Sequence, residues 1–288
     1  MNTYFMKPLL VIFILSSSAV FGQQEPLSGM YWNNYSYFNP AMSGVVYKYE
    51  ANASWRNQWD KVNGAPNTLF LNYGMNLADK HGLGSNYVYE TIGFSRINRA
   101  KVNYNYQLKF KEDRKLVFGT ALSFNHIQWV HEWITPTSTI DPSIPSQSQQ
   151  LNLNLDLGLA YYSKNLTAGL SATQFPVYRS SGNFKTAPHF FGNFRFEGPI
   201  LPSSEIVLET KFRTDLIKYS QDFNLGFNFR KILEISVGYR TSDAILFNLT
   251  GIIAKNYRIG YQYEFTVNKL SSISRGTHEI AIGLHIPN

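Results

Sequence analysis

Cysteine is absent from the 288 residues, which excludes a disulfide framework and any thiolate metal site. Charge is sparse, with Asp, Glu, Lys and Arg making up 16% of the chain, and there are six histidines. His126 and His131 fall five apart, on opposite faces of a strand, so a shared metal is not expected. His131-Glu132 lacks the second histidine of a zinc-protease helix. No internal apolar run approaches the roughly 18 residues of a membrane helix, so any membrane contact must come through strands. Acid is outnumbered by base, giving a net charge of +7 and a pI near 9.3. The bases are spread along the chain rather than gathered into an arm or stripe, which argues against nucleic acid as a partner.

What is plentiful is apolar and aromatic surface: 44% hydrophobic residues, with 19 Tyr and 21 Phe. Its pattern is clearest in Leu151 to Tyr161, LNLNLDLGLAY. Leu151, Leu153, Leu155, Leu157, Leu159 and Tyr161 occupy every second position, with Asn152, Asn154, Asp156, Gly158 and Ala160 between them. Side chains alternate sides along a strand, so one face is hydrocarbon and the other polar or small. A helix would place Asn and Asp among the leucines without partners. The alternation runs for about 11 residues, the length a tilted strand needs to cross a bilayer.

The pattern recurs. Tyr47 to Arg56, Leu69 to Leu77 and Val102 to Phe110 show it, as do the rows beginning at Leu116, Ile206, Phe223, Tyr257 and Ile280. Weaker segments at Asn86 to Arg96, Leu166 to Phe175, His189 to Glu197, Leu233 to Tyr239 and Ala244 to Ala254 fill the gaps. The fold class is therefore all-β: a transmembrane antiparallel up-and-down β-barrel of about 14 strands, an even number as in bacterial outer-membrane barrels. Connection lengths agree, because such barrels have short periplasmic turns and longer outer loops. The short connections near Asp79 to Gly84, Glu112 to Arg114, Lys164-Asn165, Lys231-Ile232 and Lys255-Asn256 fall on one side. The other side collects Asn57 to Pro66, Trp129 to Gln150, Gln174 to Pro188, Thr214 to Gln221 and Thr266 to Thr277, with short exceptions at Ile97 to Arg99 and Thr241 to Asp243. The polar loop from Trp129 to Gln150 is the most exposed candidate for partner contact.

Three regions follow. Residues 1–22 read as a signal peptide, with Lys7, an apolar core from Pro8 to Leu15 and small residues up to Gly22, so the chain is expected to leave the cytoplasm. Residues 23–45 form a leader rich in aromatics and Asn, without sustained alternation, expected to be extended and to lie against the barrel opening or enter it. Residues 46–288 form the barrel, located in the outer membrane and in contact with its lipid. The chain ends on His285-Ile286-Pro287-Asn288 rather than on an aromatic residue.

Little points to catalysis. The lumen-side carboxylates Glu50, Asp156, Glu209 and Glu264 are expected to pair with Lys48, Arg56, Lys211 and Arg258 in a wet lumen rather than to serve as acid and base. Gly82-Leu83-Gly84 is too short for a phosphate loop. No catalytic residue, metal ligand or cofactor is assigned.

The stretch Phe38-Asn39-Pro40-Ala41-Met42-Ser43-Gly44 resembles the FNPAxxG signature of the PorP/SprF family, outer-membrane proteins associated with type IX secretion and gliding motility in Bacteroidota. Arg56-Asn57-Gln58-Trp59, Gly64-Ala65-Pro66-Asn67-Thr68, Ile92-Gly93 and Gly276-Thr277-His278-Glu279-Ile280 continue it in the family's order. The third strand is more polar than expected for the family. The resemblance implies a non-enzymatic barrel that helps a secreted adhesin-like substrate reach or remain on the cell surface, with that substrate and type IX secretion components as partners. Phe38, Asn39, Pro40, Gly44, Arg56, Trp59, Gly64 and Pro66 are then the residues expected to bind a partner or shape the rim. The alternative is a porin or hydrophobic-ligand channel, for which the polar inner rows would line the passage.

Overall fold

The computed structural model describes residues 25–130, 149–180 and 186–287. The signal segment, residues 23–24 and most of the Trp129 to Gln150 loop, including His131 and Glu132, lie outside them. Fourteen strands follow in order: β1 (Tyr49–Asn57), β2 (Asn67–Ala78), β3 (His81–Ile92), β4 (Ser95–Lys109), β5 (Lys115–Trp129), β6 (Gln149–Tyr162) and β7 (Leu166–Arg179). They continue as β8 (His189–Leu201), β9 (Ser204–Thr214), β10 (Tyr219–Phe229), β11 (Leu233–Arg240), β12 (Ala244–Ile253), β13 (Tyr257–Thr266) and β14 (Thr277–Ile286). Each pairs antiparallel with its neighbours in sequence, and β1 pairs with β14 through Trp55 opposite Ile280, so the sheet closes. Closure leaves no strand edge unpaired in hydrocarbon.

The alternation predicts the faces. In β6, Leu151 and Leu157 point outward, whereas Asn152, Asn154 and Asp156 are at most 1% exposed. The outward surface is a band of Leu, Ile, Val and Phe, with aromatics towards both margins: Tyr49, Phe118 and Tyr257 near one end of the barrel, Trp55, Tyr239 and Phe265 near the other. Trp55 Nε1 donates to Asn67 Oδ1 at 2.7 Å, satisfying the polar edge of a ring at the membrane interface. Connections at 79–80, 163–165, 202–203, 230–232 and 254–256 mark the periplasmic end by their brevity, and the loops at 58–66 and 267–276 mark the outer end.

Three expectations need correction. The leader is not extended: it forms helix α1 (Tyr31–Phe38) and a 3-10 turn, η1 (Pro40–Met42), inside the barrel. Its aromatics Tyr31, Tyr35 and Phe38 recur at helical rather than strand spacing, and the lumen wall supplies partners to every side, so neither alternation nor a single polar face was required. The second correction concerns β3 and β4. The periplasmic turn after β2 is at 79–80 rather than Asp79 to Gly84, and the outer turn is at 93–94, around Gly93 with φ +54°, rather than at Ile97 to Arg99. Gly82 and Gly84 imitate turn residues but lie within β3, where they leave room for the leader. Third, the lumen is filled by the leader along β1–β7 and its charges pair differently from the expected set, as described next.

Candidate functional site

The leader descends from the outer half of the lumen to its periplasmic end before turning up into β1. Asn39 ends α1: its backbone leaves the helix at φ −141°, its Oδ1 accepts from Ala41 N at 3.0 Å, and Pro40 starts η1. Its Nδ2 donates to the carbonyls of Leu159 (3.1 Å) and Leu170 (3.3 Å) on β6 and β7. Ser171 Oγ donates to Phe38 O at 2.6 Å, and Asn105 Nδ2 to Ser43 O at 2.5 Å. The wall comes close enough to meet backbone because it is glycine there. A Cβ on Gly119 would lie 2.2 Å from Ala41 N, and one on Gly158 2.1 Å from Asn39 Oδ1. Gly44, at φ +60°, turns the chain where a Cβ would strike Met75 O at 2.1 Å; its N–H donates to Glu50 Oε1 at 3.0 Å.

Above this seat the inner faces of β2, β3 and β4 form an amide ladder. Asn72 Nδ2 donates to Asn34 Oδ1 (2.7 Å), Asn86 Nδ2 to Asn72 Oδ1 (2.7 Å) and to Ser36 Oγ (2.9 Å), and Asn103 Nδ2 to Asn86 Oδ1 (2.6 Å). The one amide of the third strand, Asn86, is thus buried and bonded to the leader and to the amides of both neighbouring strands. On the apolar side of α1, Phe38 stacks on Tyr31 at 4.7 Å and packs against Phe70 and Phe191.

Charged residues hold the other end of the leader. Asp222, Arg240, Glu264, Arg56 and Glu279 alternate in sign across β10, β11, β13, β1 and β14. Arg56 meets Glu264 through two bonds of 2.7 and 2.8 Å and Glu279 at 3.3 Å, and Arg240 meets Glu264 at 2.8 Å and Asp222 at 2.9 and 3.0 Å. Glu279, fully buried, also accepts from Ser28 Oγ at 2.7 Å and Gly29 N at 2.8 Å. A buried carboxylate with three partners of this kind is compensated for its lost hydration. Lys101 pairs with Asp156 at 2.7 Å, donates to Tyr37 O at 3.2 Å and lies over the Tyr37 ring at 4.2 Å. Glu25, in the leader, accepts from Tyr37 Oη at 2.7 Å. Burial alone would push its carboxyl up, but Lys101, Arg99, His189 and the Tyr37 hydroxyl outweigh that and hold it below its ordinary 4.5.

The sequence-selected residues divide into two groups. Phe38, Asn39, Pro40 and Gly44 lie buried in the lumen at the leader seat. Arg56, Trp59, Gly64 and Pro66 lie at the outer end of β1 and in the loop after it, Arg56 with its side chain turned inward and Gly64 exposed. The remaining motif blocks converge on this second group. Gly93 N donates to Gly64 O at 2.9 Å, Asp60 N to Gly276 O at 2.7 Å, and Trp59 N to Thr277 Oγ1 at 3.0 Å. Sequence reasoning missed Ser28, Gly29, Asn34 and Ser36 on the leader and Gly119 and Gly158 on the wall. Glycine at an inward position of a long strand was the available signal. Of the expected ion pairs, Glu264 with Arg56 is present and Glu209 lies 3.8 Å from Lys211. Asp156 instead pairs with Lys101, and Glu50 with the Gly44 backbone, because the leader brings those groups together. Among the described residues, no three His, Asp or Glu side chains gather as metal ligands.

A family model described as type IX secretion system membrane protein PorP/SprF matches residues 20–284. Among solved structures, the monoaromatic hydrocarbon channel CymD superposes with a TM-score of 0.52 at 10% identity, covering 89% of this chain and 93% of its own. The Ralstonia pickettii toluene transporter TbuX gives 0.51 at 10% identity, covering 86% and 92%. Omp33 of Acinetobacter baumannii gives 0.49 at 10% identity, covering 85% and 100%. At such identities the likeness is one of fold. No curated protein matches the sequence.

Proposed function

The chain belongs to the PorP/SprF family of type IX secretion system membrane proteins, and from that premise we propose that it is a non-enzymatic barrel supporting export or surface attachment of a secreted adhesin-like substrate. The observation that carries this reading is the occupied lumen. A barrel that threads its own leader through its interior, and satisfies buried amides and charges against it, offers its ends and rim for contact rather than an open bore. In this reading Phe38, Asn39, Pro40 and Gly44 seat the leader, while Arg56, Trp59, Gly64 and Pro66 shape the outer face on which substrate or secretion components dock. Gliding belongs to the same reading, through the surface display of such an adhesin.

Deletion of the gene is expected to strip an adhesin from the cell surface while leaving small-solute uptake unchanged; normal display in the deletion strain would overturn the proposal. The channel alternative requires passage through the barrel. Purified protein in a planar bilayer is expected to give no single-channel conductance, and steady conductance by the wild-type chain would favour the channel instead.

A further inference from the structure

The leader leaves part of the lumen unfilled at the periplasmic end. A cavity of about 300 Å³ lies there between the leader and β1, β6, β7, β8, β13 and β14, reaching the turn at Ser163, Lys164 and Asn165. This is the low end of the range for specific small-ligand sites, about 300 to 1,000 Å³. Its walls combine aromatic rings with cations. Arg258 lies over the Trp32 ring at 5.6 Å and donates to Tyr47 Oη at 2.9 Å, and among the described residues no carboxylate pairs with it. Lys164 is exposed on the turn at the mouth. Arg195, by contrast, is neutralised by Glu197 and by Glu234, both within 2.6 Å. Glu50 also lines the cavity, with one carboxylate oxygen engaged by Gly44 N.

A neutral histidine completes the wall. The His285 ring stacks on Tyr47 at 4.4 Å and is 4% exposed. Its Nε2 lies 2.8 Å from Asn52 Oδ1, an acceptor, so Nε2 carries the proton and Nδ1 is left as an acceptor, and Nδ1 has no partner. Arg258 thus keeps donors beyond the one given to Tyr47 and has no direct carboxylate partner, although Glu50 and Glu197 line the same cavity, and flat apolar surface lies around it.

We infer that this periplasmic vestibule binds an acidic peptide segment of a partner protein, with Arg258 as the carboxylate clamp and Lys164 guarding the mouth. A guanidinium held on an aromatic face presents its donors in a fixed plane suited to a carboxylate. Trp32, Tyr47 and Tyr162 cover an apolar flank for the residues beside that carboxylate. The inference goes beyond the export role and needs nothing of the secreted substrate.

Titration calorimetry on the full-length barrel in detergent tests it, with acetyl-Gly-Glu-Phe-Gly-amide, its Gln counterpart and sodium acetate as probes. The Glu peptide is expected to bind about tenfold more tightly than the Gln peptide, as for one charge-assisted contact. Arg258→Gln is expected to abolish that preference, and Lys164→Glu, on an exposed turn, to weaken the Glu peptide several-fold with the barrel intact by its heat-dependent gel migration. Lys164→Glu carries the test if Arg258→Gln fails that folding check. No binding of the Glu peptide, equal affinity for the two peptides, or a preference that survives Arg258→Gln or is untouched by Lys164→Glu would each overturn the inference. Displacement of the peptide by acetate at equal concentration would reduce the site to one for small anions and overturn it too.

Discussion

The two halves of the lumen are built differently, although both are lined by the polar rows of the same barrel. From β1 to β7 the wall grips the leader by shape: glycines at Gly119 and Gly158 let backbone approach backbone, and the ladder through Asn72, Asn86 and Asn103 matches donor to acceptor. From β8 to β13 the wall reaches the leader mainly through long side chains: Lys211 donates to Gly29 O at 2.6 Å, and Glu209 accepts from Tyr35 Oη at 2.6 Å. Elsewhere its side chains bond one another, as Asn248 Nδ2 does to Ser236 Oγ. One half fixes where the leader lies. The other touches it at fewer points.

The difference can be broken most sharply at the glycines. Gly119→Val places carbon where the backbone of Pro40 and Ala41 now lies, a clash that no side-chain rotamer relieves and that exceeds the usual 1–3 kcal/mol, roughly, of overpacking. The leader is expected to leave its seat, seen as chymotrypsin cleavage within Tyr31–Phe38 and as conductance in planar bilayers where the wild type is expected to show none. Glu279→Ala comes next. It leaves Ser28 and Gly29 without their acceptor and Arg56 with Glu264 alone at a buried site, and a loss of about 3–5 kcal/mol is expected in urea unfolding of the detergent-solubilised protein. Glu279→Gln, which keeps an acceptor, is expected to lose less.

Asn39→Ala removes the donor to Leu159 O and Leu170 O, and a loss of about 1–3 kcal/mol is expected by the same measurement. Acid should act on the leader in the same direction. The docked Glu25 carboxyl is held below its ordinary 4.5, so its contribution is complete above that pH and fades as pH falls through the lowered value. Cleavage of the leader by an acid-active protease is expected to rise as pH falls below 4.5 for the wild type and to lose that pH step in Glu25→Gln. The smallest effect belongs to the other half. Asn248→Ala, away from the leader, is expected to cost about 1 kcal/mol or less and to leave chymotrypsin resistance unchanged. Loss of resistance there would remove the distinction between the two halves.

How far the sequence could be read follows the same division. The strand pattern in β6 was legible because lipid and lumen impose opposite chemistry on alternate side chains, and this needs no knowledge of neighbours. The β3 boundary was misplaced because Gly82, Gly84 and Asn86 carry the composition of a turn. Their reason for being small or amidic is Ser43 and Ser36, some 40 to 50 residues away in the chain. The motif Phe38 to Gly44 was visible as a unit, but its place was not. Asn39 reads as the end of one element and the start of another whether it lies at a rim or inside a lumen.

Local alternation, connection lengths and the scarcity of charge were enough by themselves to determine a closed all-β barrel with a polar interior, because a strand in a bilayer has a solvent on each face and each solvent selects its own residues. What fills that interior, which of its charges meet and where the motif blocks converge were decided only by the tertiary structure. Arg56 and Glu264 stand 208 residues apart in sequence and become partners only when β1 closes on β14, and the leader finds its seat only once strands from both ends of the chain have curved around it.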